Sequence, residues 1–145
     1  MAKTGVHKDF HGALSFALQH LESHYGRSEM EAYLRQVARA VYGPLSKALR
    51  RRGLRALEEH WRQVYEQEEG LVRIERTGNR LKFHVERCPA IHHMKERGYP
   101  IAEHFCESTR IINEEVCRAA GFCASVRYDQ HKGTCVQEFW KEGGP

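Results

Sequence analysis

The hydrophobic period of this 145-residue chain changes once, near residue 70, and that change constrains the fold more than any other feature. Before it, apolar residues recur every three to four positions, the spacing of one helix face. Phe10, Leu14, Ala17, Leu18, Leu21 and Tyr25 share a face of a helix spanning residues 6–25, which Gly26 ends. Ser28-Glu29-Met30-Glu31 reads as a capping box that starts a second helix. Met30, Leu34, Val37, Val41 and Leu45 face inward along it, and Gly43-Pro44 is expected to break or kink it near Tyr42. Helix resumes to Arg52, where Gly53 stops it. Leu54, Leu57, Trp61, Val64 and Tyr65 then form a third inward stripe, running to about Glu69.

Beyond residue 70 the period is two. Val72 and Ile74 alternate with charges, residues 77–80 turn, and Leu81, Phe83 and Val85 alternate again, as in a hairpin with one wet face. A short helix runs from Pro89 to Arg97 and closes at Gly98. Pro100 opens a longer one that reaches Ala120, capped by Gly121. Ala124, Val126 and Tyr128 alternate, residues 129–133 turn, and Thr134 to Trp140 returns. The expected fold class is therefore α+β: an N-terminal helical layer packed on an antiparallel sheet built from two hairpins, in a single domain over residues 1–145.

Composition excludes several classes. No apolar run approaches the ~20 residues of a membrane span, and Met1-Ala2-Lys3-Thr4-Gly5-Val6-His7 carries no apolar signal core, so the expected location is cytoplasmic with no membrane partner. Five cysteines, an odd number without framework spacing, are expected to be free thiols, ligands or catalytic groups. The formal charge is +4. Its visible cluster, Lys47, Arg50, Arg51, Arg52 and Arg55, suits the negative end of a helix dipole. With no zinc-finger, helix-turn-helix or aromatic–basic signature, no nucleic-acid partner is expected. The oligomeric state stays open, a homodimer included.

Chemistry concentrates between Cys88 and Cys106, where two thiols and three imidazoles (His92, His93, His104) fall together. Pro89 suits the first position of a helix, which makes Cys88 its N-cap. The helix N-terminus then favours the thiolate, both nucleophile and metal ligand, so Cys88 is expected to titrate below a free thiol. On the following long helix, Cys106, Arg110, Asn113 and Cys117 line up beside an apolar stripe, the pattern of a wall facing a cavity. On the first helix, His7 and His11 lie beside the apolar face and are candidate pocket residues.

The run Cys88-Pro89-Ala90-Ile91-His92, then Gly98, then Cys106 and Asn113, then a closing hairpin through Gly133 resembles the L-2-amino-thiazoline-4-carboxylic acid hydrolase (ATC hydrolase-like) family. More distantly it is similar to the 4-vinyl reductase type of small-molecule-binding domain. The resemblance implies a cytoplasmic α+β domain that binds a small molecule and, in the hydrolases, opens a sulfur-containing ring at a C–N or C–S bond. It maps the family's Cys–Pro element onto Cys88-Pro89 and its helical cysteine onto Cys106.

Two functions follow as expectations. The first is a hydrolase, with Cys88 as nucleophile or metal ligand, His92 or His104 as general base, and Asn113 orienting substrate or oxyanion. His11 would line its pocket, and Arg110 or Arg127 would hold a substrate carboxylate. The second is a non-catalytic metal- or small-molecule-binding sensor. Its mixed site would draw on Cys88, Cys106, His104 and Cys123, with Cys117 and His92 as alternatives. Zinc or another transition metal suits that set, whereas an iron–sulfur cluster would prefer thiols alone. A third reading leaves the cysteines as core residues.

Overall fold

A computed structural model describes residues 7–143; Val6 at the start of the expected first helix and the last two residues of the C-terminal tail lie outside them. Six helices and four strands follow one another as α1 (Phe10–Tyr25), α2 (Arg27–Val41), α3 (Gly43–Arg52), α4 (Leu54–Gln67), β1 (Leu71–Thr77), β2 (Arg80–Arg87), α5 (Pro89–Arg97), α6 (Glu107–Ala120), β3 (Phe122–Asp129) and β4 (Thr134–Lys141). The class is α+β, with an antiparallel four-stranded sheet of order β1-β2-β4-β3.

Strand register decides which side chains meet the helices. Leu81 pairs with Phe139, Phe83 with Gln137 and Val85 with Cys135 across β2 and β4. Ala124, Val126 and Tyr128 of β3 oppose the same three β4 residues. These positions share one face of the pleat. Phe83 and Phe139 meet edge to face there, with ring centroids 5.7 Å apart. Leu18, Met30, Leu34, Leu49, Leu57 and Met94 bring the helices onto this core and are all fully buried. Each such side chain contributes about 1.5–3 kcal/mol by leaving water.

Three local expectations are corrected. Phe10 and Tyr25, at the ends of the first apolar stripe, are exposed, while Ser15 on the same helix is buried. The capping box does not form. Here α2 starts at Arg27 from Gly26 at φ 96°, no side chain caps it, and Glu31 receives Arg27 at 3.2 Å instead. The helix expected from Pro100 begins only at Glu107. Tertiary hydrogen bonds replace its first turns: the amides of Ala102, Glu103 and Cys106 donate to the side chains of Ser15, Gln19 and Gln130.

Candidate functional site

Cys88 sits where β2 turns into α5, and its amide donates to the carbonyl of Gly133 at 2.9 Å. Gly133 lies at φ 72°, a backbone region that favours glycine. A Cβ on it would come within 3.2 Å of Ile91, so this close approach seats Cys88 against the β3–β4 turn. Cys88 is the α5 N-cap, as its sequence predicts. The amides of Ile91 and Ala90 do favour its thiolate, although no capping hydrogen bond closes. Burial outweighs them, and with the nearby Glu68 carboxylate it pushes the Cys88 thiol above its ordinary value. The expectation of a lowered pKa is therefore corrected: removal of sulfur from water dominates the helix N-terminus.

Two further thiols share this interior. Burial raises Cys106, and the charges of Cys88 and Cys135 raise it further. Burial takes Cys135 up to about 11, opposed by a hydrogen bond from Gln137. That bond runs from Gln137 Nε2 to Cys135 Sγ at 3.3 Å, and the same amide donates to the Tyr65 hydroxyl at 3.0 Å. Tyr65 is raised by its burial and then by Cys135 and Cys88. This interior thus brings together Cys88, Cys106, Cys135, Tyr65 and Gln137, and burial raises the three thiols and the phenol alike. At its margin Glu68 holds His11, Oε1 to Nε2 at 2.5 Å.

The other expected site residues lie elsewhere. His92 is exposed on α5 and pairs with Glu96 at 2.8 Å, because its position one turn into the helix points it outward. His104 is held by Glu22 at 2.8 Å. Asn113 is buried on α6 and donates to the Thr109 carbonyl at 2.9 Å, while its Oδ1 has no partner among the described residues. Arg110 is tied to Glu107 and Glu114, whereas Arg127 is exposed on the other face of the sheet, 3.6 Å from Glu138. Cys123 neighbours Cys117, whose thiol burial takes up to about 12, with a further rise from Cys123. The expected metal set of Cys88, Cys106, His104 and Cys123 is consequently split. Among the described residues no group of three or more His, Cys, Asp or Glu side chains could hold a metal ion. All five cysteines are free.

A cavity of about 520 Å³ lies away from the thiols, between α1 and the segment 99–102. One stripe of α1 builds it. The Ser15 hydroxyl donates to the Pro100 carbonyl at 3.2 Å and accepts from the Ala102 amide at 2.7 Å. Gln19 accepts from the Glu103 amide at 2.9 Å, and Glu22 takes His104. These three residues recur at helical spacing and bind the segment along the helix. Gly12 lets Tyr99 close in, since a Cβ there would stand 2.9 Å from the ring. The walls are Gly12, Ala13, Phe16, Tyr99, Pro100 and Ile101. At one end stands Asp9, which accepts from the Tyr99 hydroxyl at 2.9 Å and lies 2.8 Å from His93 Nε2. The His93 bond, then the Tyr99 bond, lowers the Asp9 pKa.

Sequence reasoning missed this cleft. Its signal is the polar set Ser15, Gln19 and Glu22 beside the apolar stripe of the first helix. It also missed Tyr65, Glu68, Cys135 and Gln137, which only the packing of the C-terminal end of α4 against the sheet brings to Cys88. No family model, no curated protein and no solved structure matches this chain.

Proposed function

We propose that this protein is a small-molecule-binding domain whose ligand occupies the cleft between α1 and the segment 99–102. One observation carries the reading: about 520 Å³ of carbon-lined space ends on a carboxylate whose orientation is fixed by Tyr99 and His93. Ligand sites commonly have this size and this pairing of apolar walls with a few placed polar groups. The ligand class is an apolar, ring-containing molecule with one hydrogen-bond donor, an amine or hydroxyl, directed at Asp9. Phe16, largely exposed in the free protein, would cover it.

The test uses N-phenyl-1-naphthylamine, a neutral aromatic amine that fluoresces on leaving water. Saturable binding at one site, lost in Ala13→Trp and weakened in Phe16→Ala, is expected. Both positions line the cleft and are exposed, so the variants should remain folded. Binding that is absent, or unchanged in both variants, defeats the reading.

A second reading, a cysteine hydrolase of the aminothiazoline type, is favoured by one observation: Glu68, whose charge reaches Cys88, also holds His11 at 2.5 Å. The Cys88 sulfur would add to ring carbon C2, the ring C2–S bond would break as His11 passes the thiol proton to the leaving sulfur, and water would then cleave the new C2–S bond to free Cys88. Ring opening of 2-amino-thiazoline-4-carboxylate, abolished in Cys88→Ala and reduced in Glu68→Gln, would support it. Turnover no higher in the native protein than in Cys88→Ala would end it.

A further inference from the structure

The basic cluster read from the sequence as a helix end does more than complement a dipole. Four chain segments fold it into a cavity of about 560 Å³ at the opposite end of the α3–α4 pair from Tyr42. Arg50, Arg52 and Arg55 come from the α3–α4 junction, Arg76 and Asn79 from the β1–β2 turn region, and Lys141 from the end of β4. Among the described residues no acidic side chain lines this space.

The cations are only partly neutralised in place. Arg50 donates to the carbonyl of Ala119, a neutral acceptor, which leaves its charge uncompensated. Arg52 meets Glu59 at 2.6 Å, but Arg55 stands 3.9 Å from that same carboxylate, and Arg76 shares Glu58 with Arg62. Lys141 has no ion-pair partner among the described residues. Five cations therefore face two carboxylates set back on α4. Such a concentration of like charge raises the energy of the empty site, and an anion would relieve it. The N-terminus of α4 opens onto the same space without a side-chain cap, while the C-termini of α3 and α6 also border it and the Ala119 carbonyl takes the Arg50 guanidinium. The space at Gly53 and Gly78 is open, with nothing within 4 Å of where a Cβ would stand.

We propose that this cavity is a binding site for a phosphate-bearing small molecule. Guanidinium groups pair with phosphate oxygens through two parallel bonds, which suits Arg50, Arg55 and Arg76, drawn from α3, α4 and β1 to line one cavity. The site is separate from the cleft beside α1, so each reading stands or falls alone.

Isothermal titration calorimetry with inorganic pyrophosphate, at about 50 mM sodium chloride, tests it. One site per chain is expected, with Kd below about 1 mM and rising steeply with salt. Arg55→Glu and Lys141→Glu should each weaken binding about tenfold or more, because both remove a cation and introduce repulsion. Both side chains are exposed, so the fold should hold. Arg97→Glu makes the same charge change far from the cavity and should weaken binding less than about twofold. No saturable heat up to about 10 mM pyrophosphate overturns the proposal. So does equal weakening by all three variants, which would mark only net charge. In parallel arms, vesicles carrying phosphatidylinositol phosphate, or a short DNA duplex, replace pyrophosphate. Binding of either by a protein that ignores pyrophosphate also overturns it, in favour of a membrane or nucleic-acid surface.

Discussion

Glu107 offers the sharpest test of how the candidate site region is held together. It lies in the first turn of α6, is 3 % exposed, and receives four hydrogen bonds. Arg110 gives two, Nε to Oε2 at 2.9 Å and Nη2 to Oε1 at 2.6 Å; Arg27 gives one at 2.9 Å and the Tyr128 hydroxyl one at 2.8 Å. One carboxylate thus joins α2, α6 and β3. These bonds, that of Arg110 foremost, take its pKa from an ordinary 4.5 down to about 2 against the opposing effect of burial. A shift of that size corresponds to about 3 kcal/mol. Arg27 is 46 % exposed at its side chain, so solvent screening brings the expected contribution to about 2–3 kcal/mol. Glu107→Gln keeps the shape and removes the charge. At pH 7 it should lose about 2–3 kcal/mol in urea unfolding, or about 6–12 °C in Tm. The folded carboxyl binds fewer protons than the unfolded one, so its contribution is complete above about pH 5 and fades as pH falls toward 2. By pH 3 the gap between the native protein and Glu107→Gln should narrow to about 1 kcal/mol. A gap below about 0.5 kcal/mol at pH 7, or one that is the same at pH 3 as at pH 7, would refute the reasoning.

Other expectations follow from single contacts. Ser15→Ala strands the buried Ala102 amide and should cost about 1–3 kcal/mol while loosening the segment 99–102, read as faster amide exchange there. Gly70→Ala would place a Cβ 2.9 Å from the Pro89 ring and 3.0 Å from Tyr65, and overpacking should lower stability by about 1–3 kcal/mol in the same urea assay. Cys88, Cys106, Cys117 and Cys135 are held protonated by burial, so iodoacetamide at pH 8 should label them more slowly in the folded protein than in urea. A folded Cys88 that alkylates as fast as free cysteine would contradict its raised pKa.

Much of the architecture was legible because it depends on local pattern. The switch from helical spacing to alternation announced a helical layer before a sheet. Gly26, Gly53, Gly98 and Gly121 close helices where their sequence positions predict. Pro89 marked the start of α5 and made Cys88 its cap. These outcomes follow from backbone stereochemistry and side-chain periodicity, which neighbouring residues carry with them. The site was less legible because it depends on what arrives from elsewhere. Cys88 kept the geometry that its sequence implies, but the surrounding burial, and after it Glu68, reversed the expected direction of its pKa. His92 and His104 had the right chemistry, yet Glu96 and Glu22 hold them elsewhere. Tyr65 and Gln137, 72 residues apart, meet only when α4 packs on the sheet. Pro100 promised a helix start, and Ser15 and Gln19 from α1 took the amides that such a helix would have used. Local propensity fixes an element when nothing distant competes for its hydrogen bonds. Where buried donors and charges have a choice of partners, the tertiary structure decides, because an unpaired polar group away from water costs more than the propensity it overrides.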